Sequence, residues 1–223
     1  MVYLFNENAG DEHFSIKGED FKYLIKVRRH NIGDMLGFRS KEDRKTLHMY
    51  QLTAIEPRSA TFELVSSEIL EIKAKKELHI GWCVIDNKSV EKVLPSLNEL
   101  GVSKISFIYC ERSQKNFKPD FKRYERIIEA SNQQCGRTEI MVFDTYKNIE
   151  SFIADFGDVK VFDFCENILG KESNFGRVLI GCEGGFSPKE KEFLKNQEVF
   201  RLDTPMILRS ETATVAVASK ILL

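Results

Sequence analysis

The two halves of the chain differ in the spacing of their apolar residues. Up to about residue 72, apolar and polar positions alternate in short runs such as 47–53 and 60–65, which is the period of a β-strand. Turn-forming residues lie before these runs, at 31–34, and between them, at 56–59. Residues 20–29 have the spacing of one short helix. The pattern predicts a small N-terminal β-barrel or sandwich.

From about residue 73 the apolar runs switch repeatedly between the strand period and the helical period. The predicted strands cover residues 78–85, 105–109, 159–164, 178–182 and 198–202, and the predicted helices cover 88–100, 119–135, 188–195 and 212–222. Gly101 is the expected C-cap of the first helix, and Pro95 is expected to kink or shorten it. This alternation predicts an α/β domain with a mostly parallel sheet, whose ligands bind at the carboxyl ends of the strands.

The composition is that of an ordinary globular protein, with 42% apolar and 30% charged residues among 223. No apolar stretch is long enough to span a bilayer, and the first residues lack the basic region of a secretory signal. The expected location is therefore the cytoplasm. The five cysteines have no C-x-x-C spacing and the four histidines are scattered, so we expect buried free thiols and no metal site.

The net charge of −1 gives no global argument for an anionic partner, but basic residues cluster locally. Residues 22–45 hold eight basic against three acidic side chains, and residues 111–126 hold six against three. Such segments bind phosphate backbones, although a solvated face explains the charge alone equally well.

A glycine-containing loop follows the predicted strand 178–182. Gly181, Gly184 and Gly185 precede Ser187, Pro188 and Glu190, a set typical of a capped helix start. The spacing matches neither the dinucleotide fingerprint nor the P-loop. Loop chemistry alone leaves two interpretations open: a tight connection, or a site where backbone approaches a ligand. Glu183, between the glycines, either holds a ligand or bonds neighbouring amides.

Two further segments concentrate polar residues beside helices. Arg209, Ser210, Glu211 and Thr212 begin a helix rich in small residues, and Arg209 with Glu211 is alternatively a simple surface pair. Arg137 follows the end of the helix predicted over 119–135. It serves there either as a partner for the helix dipole or as a contact for an anionic substrate.

Taken together and in this order, the three segments resemble one family, the bacterial 16S ribosomal RNA uracil-N3 methyltransferases. This is the small-subunit methyltransferase E family of the SPOUT superfamily, with the approximate patterns A-x-E-Q-s-x-R, I-G-P-E-G-G-f-s-x-x-E and L-G-x-R-I-L-R-x-E-T-A. The matching residues here are 130–137, 180–190 and 207–213. Residues 99–102, 111–113 and 27–34 match further signatures, so the resemblance covers nearly the whole chain.

The chain departs from the family patterns at several positions. Cys182 stands where the family has Pro, and Gln133 stands where it has Glu, which argues against a carboxylate base there. The Gly and Arg that precede Ile-Leu-Arg in the family are replaced within 203–206. Lys22 and Tyr23 replace a pair of His residues.

The resemblance implies a PUA-like β-barrel over residues 1–72 and a SPOUT-type α/β domain over residues 73–223, with a C-terminal trefoil knot. It implies a homodimer that uses S-adenosylmethionine to methylate uracil N3 in 16S rRNA, at uridine 1498, on the assembled small ribosomal subunit. Two alternatives stay open: an RNA-binding protein of this fold without activity, or a related knotted enzyme that acts on transfer RNA or on a ribose 2′-hydroxyl.

The resemblance also implies roles for individual residues. The expected cofactor-binding residues are Ile180, Gly181, Cys182, Glu183, Gly184, Gly185, Leu202, Met206, Ile207, Leu208 and Ala213. The expected RNA-binding residues are Lys22, Lys26, Arg28, Arg29, Arg112, Lys115, Arg123 and Arg126. Arg137 and Arg209 are the expected catalytic residues, since a fixed guanidinium stabilises negative charge on the uracil oxygens. Glu183 is expected to be an orienting acceptor, and no general base is assigned.

Overall fold

The computed structural model describes residues 2–114, 116–170 and 175–223. The chain divides into two compact units, each with its own hydrophobic core. The first unit consists of Met1–Lys73 and Asn132–Glu139, and the second of Ala74–Ser131 and Ile140–Leu223. The short segment 132–139 therefore belongs to the first unit, which the apolar pattern did not predict.

The first unit is built around a five-stranded sheet. Its strands are β1 (Leu4–Phe5), β2 (His13–Lys17), β3 (Met35–Arg39), β4 (Thr46–Ile55) and β5 (Ser59–Ile69). Their order is β1-β3-β4-β5-β2, and every pair is antiparallel except the parallel pair β1–β3. The predicted strands 47–53 and 60–65 are confirmed as parts of β4 and β5. Barrel closure stays a prediction, because β1 and β2 end the strand order among the described residues.

The helix predicted over residues 20–29 is wrong in type for most of its length. Helix α1 covers only Gly18–Phe21, and a π-helical segment, Lys22–Val27, follows it. The amide of Arg28 closes this segment with a 2.9 Å hydrogen bond to the carbonyl oxygen of Tyr23, five residues back. Apolar spacing over two turns cannot separate this wider helix from an α-helix.

The second unit contains a six-stranded parallel sheet and five helices among the described residues. Its strands are β6 (His79–Cys83), β7 (Lys104–Ile108), β8 (Val142–Tyr146), β9 (Lys160–Phe162), β10 (Arg177–Ile180) and β11 (Val199–Phe200). Its helices are α2 (Asn87–Leu100), α3 (Phe121–Cys135), α4 (Ile149–Phe156), α5 (Pro188–Leu194) and α6 (Ser210–Leu222), and the last turn of α3, from Asn132, belongs to the first unit. The strand order is β11-β9-β10-β6-β7-β8. The predicted parallel sheet is thus confirmed, with several strands shorter than expected.

Strand β6 and helix α2 show how the local sequence determines these elements. Every residue of β6 is buried, as a central strand of a parallel sheet requires. The side chain of Asp86 accepts a hydrogen bond from the amide of Ser89 and so caps the start of α2. Gly101 ends α2 in the left-handed conformation, with φ +101°, as predicted. Pro95 lies within α2, which runs without interruption to Leu100, so the expected shortening did not occur.

Strand β8 and helix α4 were absent from the sequence prediction. The residues of β8 are half-buried or exposed, as on a sheet edge, and therefore give a weak apolar pattern. The start of helix α4 could have been predicted from its N-cap residue, Asn148. The side chain of Asn148 accepts a 2.9 Å hydrogen bond from the amide of Ser151, which is an ordinary N-cap.

Candidate cofactor and RNA sites

The glycine loop Gly181–Gly185 follows strand β10 and folds back on itself. The amide of Gly185 donates a 2.9 Å hydrogen bond to the carbonyl oxygen of Cys182, and Gly185 has φ +64°. A Cβ on Gly181 would lie 3.4 Å from the Cα of Gly185, whereas a Cβ on Gly185 would meet nothing within 4 Å. The loop therefore needs glycine for its conformation at Gly185, and it leaves open space beside that residue.

Helix α5, immediately after the loop, begins with the predicted capping box. The Ser187 hydroxyl accepts a 3.2 Å hydrogen bond from the amide of Glu190, and the Glu190 carboxylate accepts a 2.7 Å bond from the amide of Ser187. The other Glu190 oxygen accepts a 2.7 Å bond from the amide of Glu111, after strand β7. Arg112 also donates a 2.7 Å bond to the carbonyl oxygen of Gly184. The segments after β7 and β10 are therefore joined at the carboxyl edge of the sheet.

The start of helix α6 is fixed onto the same loop by Ser210. Its hydroxyl donates a 2.6 Å hydrogen bond to the carbonyl oxygen of Gly181 and accepts a 2.8 Å bond from the indole nitrogen of Trp82. Trp82 is fully buried within β6, so this link has a rigid base. The two sequence segments that suggested a pocket, 180–185 and 207–213, are therefore in direct contact.

Glu211, the next residue, was not among the expected site residues. It is only 7% exposed, and its Oε2 is buried without a hydrogen-bond partner among the described residues. The alternative of a surface pair with Arg209 is wrong, because no such ion pair occurs in the described part of the chain and Glu211 is not at the surface. A buried, unpaired carboxylate is costly in an isolated protein and marks a position where a ligand can supply hydrogen-bond donors.

The other expected cofactor-binding residues differ widely in exposure. Ile180, Gly181, Cys182 and Ala213 are buried, whereas Glu183 and Gly184 are exposed. Met206 and Ile207 are 69% and 82% exposed, and Leu202 and Leu208 are half-buried. The Thr204 hydroxyl accepts a 3.1 Å hydrogen bond from the amide of Met206 and shapes this connection before α6. The adjacent apolar side chains of Met206 and Ile207 therefore face solvent in the same unit as the glycine loop.

The two expected catalytic arginines belong to different units. Arg209 is exposed at the N-cap of α6 in the second unit. Arg137 lies in the first unit and is 4% exposed, and burial lowers the pKa of its guanidinium. The Tyr3 hydroxyl donates a 2.8 Å hydrogen bond to the Arg137 carbonyl oxygen, and Glu139 lies 3.7 Å from its guanidinium. Within its own unit Arg137 is therefore a well-anchored residue.

Gln133, the position where the family has Glu, has a structural contact in the first unit. Its side-chain oxygen accepts a 2.9 Å hydrogen bond from the amide of Phe5, and its carbonyl oxygen accepts a 2.9 Å bond from the amide of Val2. These bonds attach the segment 132–139 to the N-terminal strand. An amide performs this role without the charge of a carboxylate.

The expected RNA-binding residues of the first unit are exposed and lie on or next to the π-helical segment. They are Lys22, Lys26, Arg28 and Arg29. Arg29 adopts φ +61°, and the Arg28 guanidinium lies 5.3 Å from the Tyr23 ring centroid. Arg39, in the same basic stretch, is fully buried and donates hydrogen bonds to the carbonyl oxygens of Arg44, Lys45 and Leu70. It is therefore unavailable to RNA.

The second basic stretch is partly engaged in internal contacts. Arg112, Arg123 and Arg126 are exposed, but Arg112 holds Gly184 and Arg123 lies 3.3 Å from Glu91. Lys115 lies outside the described residues. In the described ranges no cluster of three His, Cys, Asp or Glu side chains is arranged for a metal ion, and no helix is long and apolar enough to cross a membrane.

Comparison with known proteins places the chain among RNA methyltransferases. Residues 73–222 match the model of the RNA methyltransferase domain family. A Helicobacter pylori protein named Ribosomal RNA small subunit methyltransferase E is 35% identical over 223 residues, which cover 98% of each chain. A solved structure of the protein of that name from Neisseria gonorrhoeae, bound to S-adenosyl methionine, has a TM-score of 0.74 at 16% identity. It covers 98% of this chain and 95% of that one.

A second solved structure, from Legionella pneumophila and in complex with the cofactor SAM, shares the fold over a similar length. Its TM-score is 0.75 at 19% identity, with 98% of this chain and 94% of that chain covered. At such low identity the two structures establish likeness of fold. Membership of a family is shown instead by the match to the family model and by the sequence identity to the Helicobacter pylori protein.

Proposed function

Because the chain belongs to the ribosomal RNA small subunit methyltransferase E family, we propose that it transfers a methyl group from S-adenosylmethionine to uracil N3 in 16S rRNA, at uridine 1498. The proposed substrate is the assembled small subunit. The proposed active form is a homodimer whose protomers combine a PUA-like barrel with a knotted SPOUT-type domain. Family membership supports the reaction class, and the motif resemblance supports these finer assignments.

The observation that carries the cofactor proposal is the buried carboxylate of Glu211. Its Oε2 has no hydrogen-bond partner in the described part of the chain, and the adjacent Ser210 is bonded to Gly181 of the glycine loop. A ligand that offers positive charge or N–H and O–H donors would offset the cost of this buried group. S-adenosylmethionine offers an ammonium, a sulfonium, ribose hydroxyls and an adenine amine, so the residues suit it.

We propose that the cofactor binds to the residues expected from the sequence, which are Ile180–Gly185, Leu202, Met206–Leu208 and Ala213. Glycine backbone lets a ligand approach the loop closely, and the open space beside Gly185 supports that role. The exposed Met206 and Ile207 side chains offer apolar surface for a flat aromatic base. When bound, the cofactor supplies an electrophilic methyl group on a sulfonium sulfur.

The proposed contribution of the arginines is to stabilise the uracil anion. Loss of the N3 proton spreads negative charge over O2 and O4, and a fixed guanidinium beside these oxygens favours that state. Arg209, exposed at the N-cap of α6, is free to turn toward a substrate. Arg137 is proposed for the same role, and burial lowers the pKa of its guanidinium. Glu183, exposed in the loop, is proposed as an orienting acceptor.

RNA binding is assigned to the exposed basic residues of both units. Lys22, Lys26, Arg28 and Arg29 are concentrated on one short segment, so several phosphates of one strand can be met together. A π-helical segment is frequent at functional sites, which agrees with this assignment. In the second unit, Arg112, Arg123 and Arg126 are proposed to bind RNA as well, and Lys115 is proposed from the sequence alone.

The deciding experiment is nucleoside mass spectrometry of 16S rRNA from a strain lacking the gene. We expect 3-methyluridine to disappear at the proposed position and to return when purified protein and S-adenosylmethionine are added to isolated small subunits. Unchanged 3-methyluridine, with loss of a modified nucleoside in transfer RNA or of a 2′-O-methyl group, would replace this proposal with one of the alternatives.

A cofactor titration separates the enzyme from a binding module of the same fold. Isothermal calorimetry with S-adenosylmethionine should give one site per chain. Absence of binding, in a chain that still binds small subunits, would reject methyl transfer and leave an RNA-binding function.

A further inference from the structure

Three buried cysteine thiols lie at the carboxyl ends of three adjacent strands of the second unit. Cys83 is the last residue of β6, Cys110 is the second residue after β7, and Cys182 is the second residue after β10. The Sγ atoms of Cys110 and Cys182 are 3.7 Å apart, although β6 separates their strands. Since neighbouring strands lie about 4.8 Å apart, the two segments must bend toward each other across the end of β6.

We propose that Cys110 and Cys182 form an oxidation-sensitive pair, a modification site that closes into a disulfide when a peroxide reaches it. A disulfide has an S–S distance of about 2.05 Å, so the two sulfurs must approach by roughly 1.7 Å. Side-chain rotation with a small shift of the Cys182 loop provides that movement. Cys182 is also the residue at which this chain departs from the family's Pro, so the pair is a feature of this sequence.

The chemistry takes two steps and uses one molecule of hydrogen peroxide. The Cys110 sulfur attacks one peroxide oxygen, the O–O bond breaks, and a sulfenic acid and one water form. The Cys182 sulfur then attacks the Cys110 sulfur, the S–O bond breaks, and a second water leaves with the Cys182 proton. Peroxide is reduced by two electrons and the two thiols are oxidised by two.

Cys110 is the better first nucleophile of the pair for two reasons. It lines a cavity of about 570 Å³ together with Glu111 and Glu190, which gives a small oxidant a route to a residue that is only 3% exposed. Side-chain hydrogen bonding with Cys182, Cys83 and Ser113 also lowers the pKa of Cys110, whereas hydrogen bonding with Cys110 and burial raise the pKa of Cys182. The thiolate is the form that reacts with peroxide.

Disulfide formation is expected to disturb cofactor binding, a consequence that rests on the proposed function. Cys182 begins the turn closed by the amide of Gly185, and its sulfur lies 3.7 Å from the Gly185 carbonyl oxygen. Moving this sulfur toward Cys110 displaces the turn. We expect oxidation to weaken S-adenosylmethionine binding about tenfold, a usual size for coupling between two sites. By linkage, bound S-adenosylmethionine should disfavour the disulfide at equilibrium by the same factor.

The test uses the full chain with the two more exposed cysteines removed, Cys135→Ser and Cys165→Ser, so that they cannot react first. After hydrogen peroxide treatment and alkylation, peptide mapping by mass spectrometry should identify a Cys110–Cys182 link. Cys83→Ser should still form it, while Cys110→Ser and Cys182→Pro should not. Absence of the link in the parent chain, or a link between Cys110 and Cys83 instead, would overturn the proposal.

A second measurement tests the consequence for the cofactor. Calorimetry compares S-adenosylmethionine binding to the reduced chain, the oxidised chain and the oxidised chain after dithiothreitol. Weaker binding that dithiothreitol restores is the expected result, and equal affinity in all three states would overturn the coupling. The mass readout does not depend on methyl transfer, so failure of the proposed function leaves the disulfide test intact.

Discussion

The Ser210 hydroxyl joins helix α6 to the glycine loop by a 2.6 Å hydrogen bond to the Gly181 carbonyl oxygen. The Ser210 hydroxyl oxygen also accepts a 2.8 Å hydrogen bond from the indole N–H of Trp82. One small side chain therefore satisfies two buried groups, one within β6 and one in the loop that follows β10. Since buried polar groups are expensive when unpaired, this residue holds the proposed cofactor loop in place.

We expect Ser210→Ala to destabilise the fold and loosen the loop. The substitution leaves the Trp82 N–H and the Gly181 carbonyl oxygen without this partner, at a cost of about 1–3 kcal/mol in the free energy of unfolding. Urea denaturation of the ligand-free chain measures this cost. Ser219→Ala, at a half-buried position of the same helix, is the matched control and should change stability by less than about 0.5 kcal/mol. Equal effects of both substitutions would contradict the assigned role.

Glu211→Gln should separate ligand binding from fold stability. The Oε2 atom of Glu211 is buried and has no partner within the described ranges, so removing the charge is expected to raise the stability of the ligand-free chain slightly, by about 1 kcal/mol. It should weaken S-adenosylmethionine binding roughly tenfold, the value of one charge-assisted hydrogen bond of about 1.4 kcal/mol. Thermal unfolding and calorimetry measure the two quantities. Glu125→Gln, exposed on α3, serves as the control, and unchanged affinity in Glu211→Gln would exclude Glu211 from the site.

Acidification should destabilise the second unit through His79. Burial, followed by the charges of Lys104 and Arg177, lowers the pKa of His79 from 6.5 to about 4. Because the unfolded chain binds the proton more readily, His79 favours the folded state above pH 6.5, and this contribution is lost as the pH falls toward 4. The loss is of the order of 3 kcal/mol at most.

Urea denaturation at several pH values between 7 and 4 tests this expectation. His79→Gln keeps a polar group for Ser106, whose hydroxyl lies 2.7 Å from His79 Nε2, but cannot titrate. The variant should be less stable than the parent at pH 7 and should lose less stability on acidification. The carboxylates are the same in both proteins, so their titration does not distinguish the two. If the free energies of unfolding change in parallel with pH, His79 does not make the expected contribution.

The basic π-helical segment should account for part of the salt dependence of RNA binding. Replacing Lys26 and Arg28 with Gln removes two exposed charges outside the core. We expect weaker binding to small ribosomal subunits, and a slope of log K against log salt that falls by about 1 for each lost phosphate contact. Filter binding at several salt concentrations measures the slope. Lys92→Gln, exposed on α2, should leave it unchanged, and a similar decrease in this control would assign the effect to net charge alone.

The sequence predicted those elements whose signals are local. The capping box of Ser187 and Glu190, the left-handed Gly101 at the end of α2 and the buried strand β6 each depend on residues within one or two turns. Their physical causes, a satisfied amide, a permitted φ and a continuous apolar run, can be read from a few consecutive positions. The motif order added the family and its cofactor, again from short segments.

Tertiary structure decided what each polar residue contacts. Glu190 reaches the amide of Glu111 across 79 positions, Gln133 reaches Phe5 across 128, and Ser210 reaches Gly181 across 29. Such bonds depend on which strands become neighbours, and no local pattern encodes that. Glu211 illustrates the limit, since two residues of opposite charge at a helix start have the sequence of a surface pair. Only the tertiary structure buries this residue and leaves its Oε2 without a hydrogen-bond partner among the described residues.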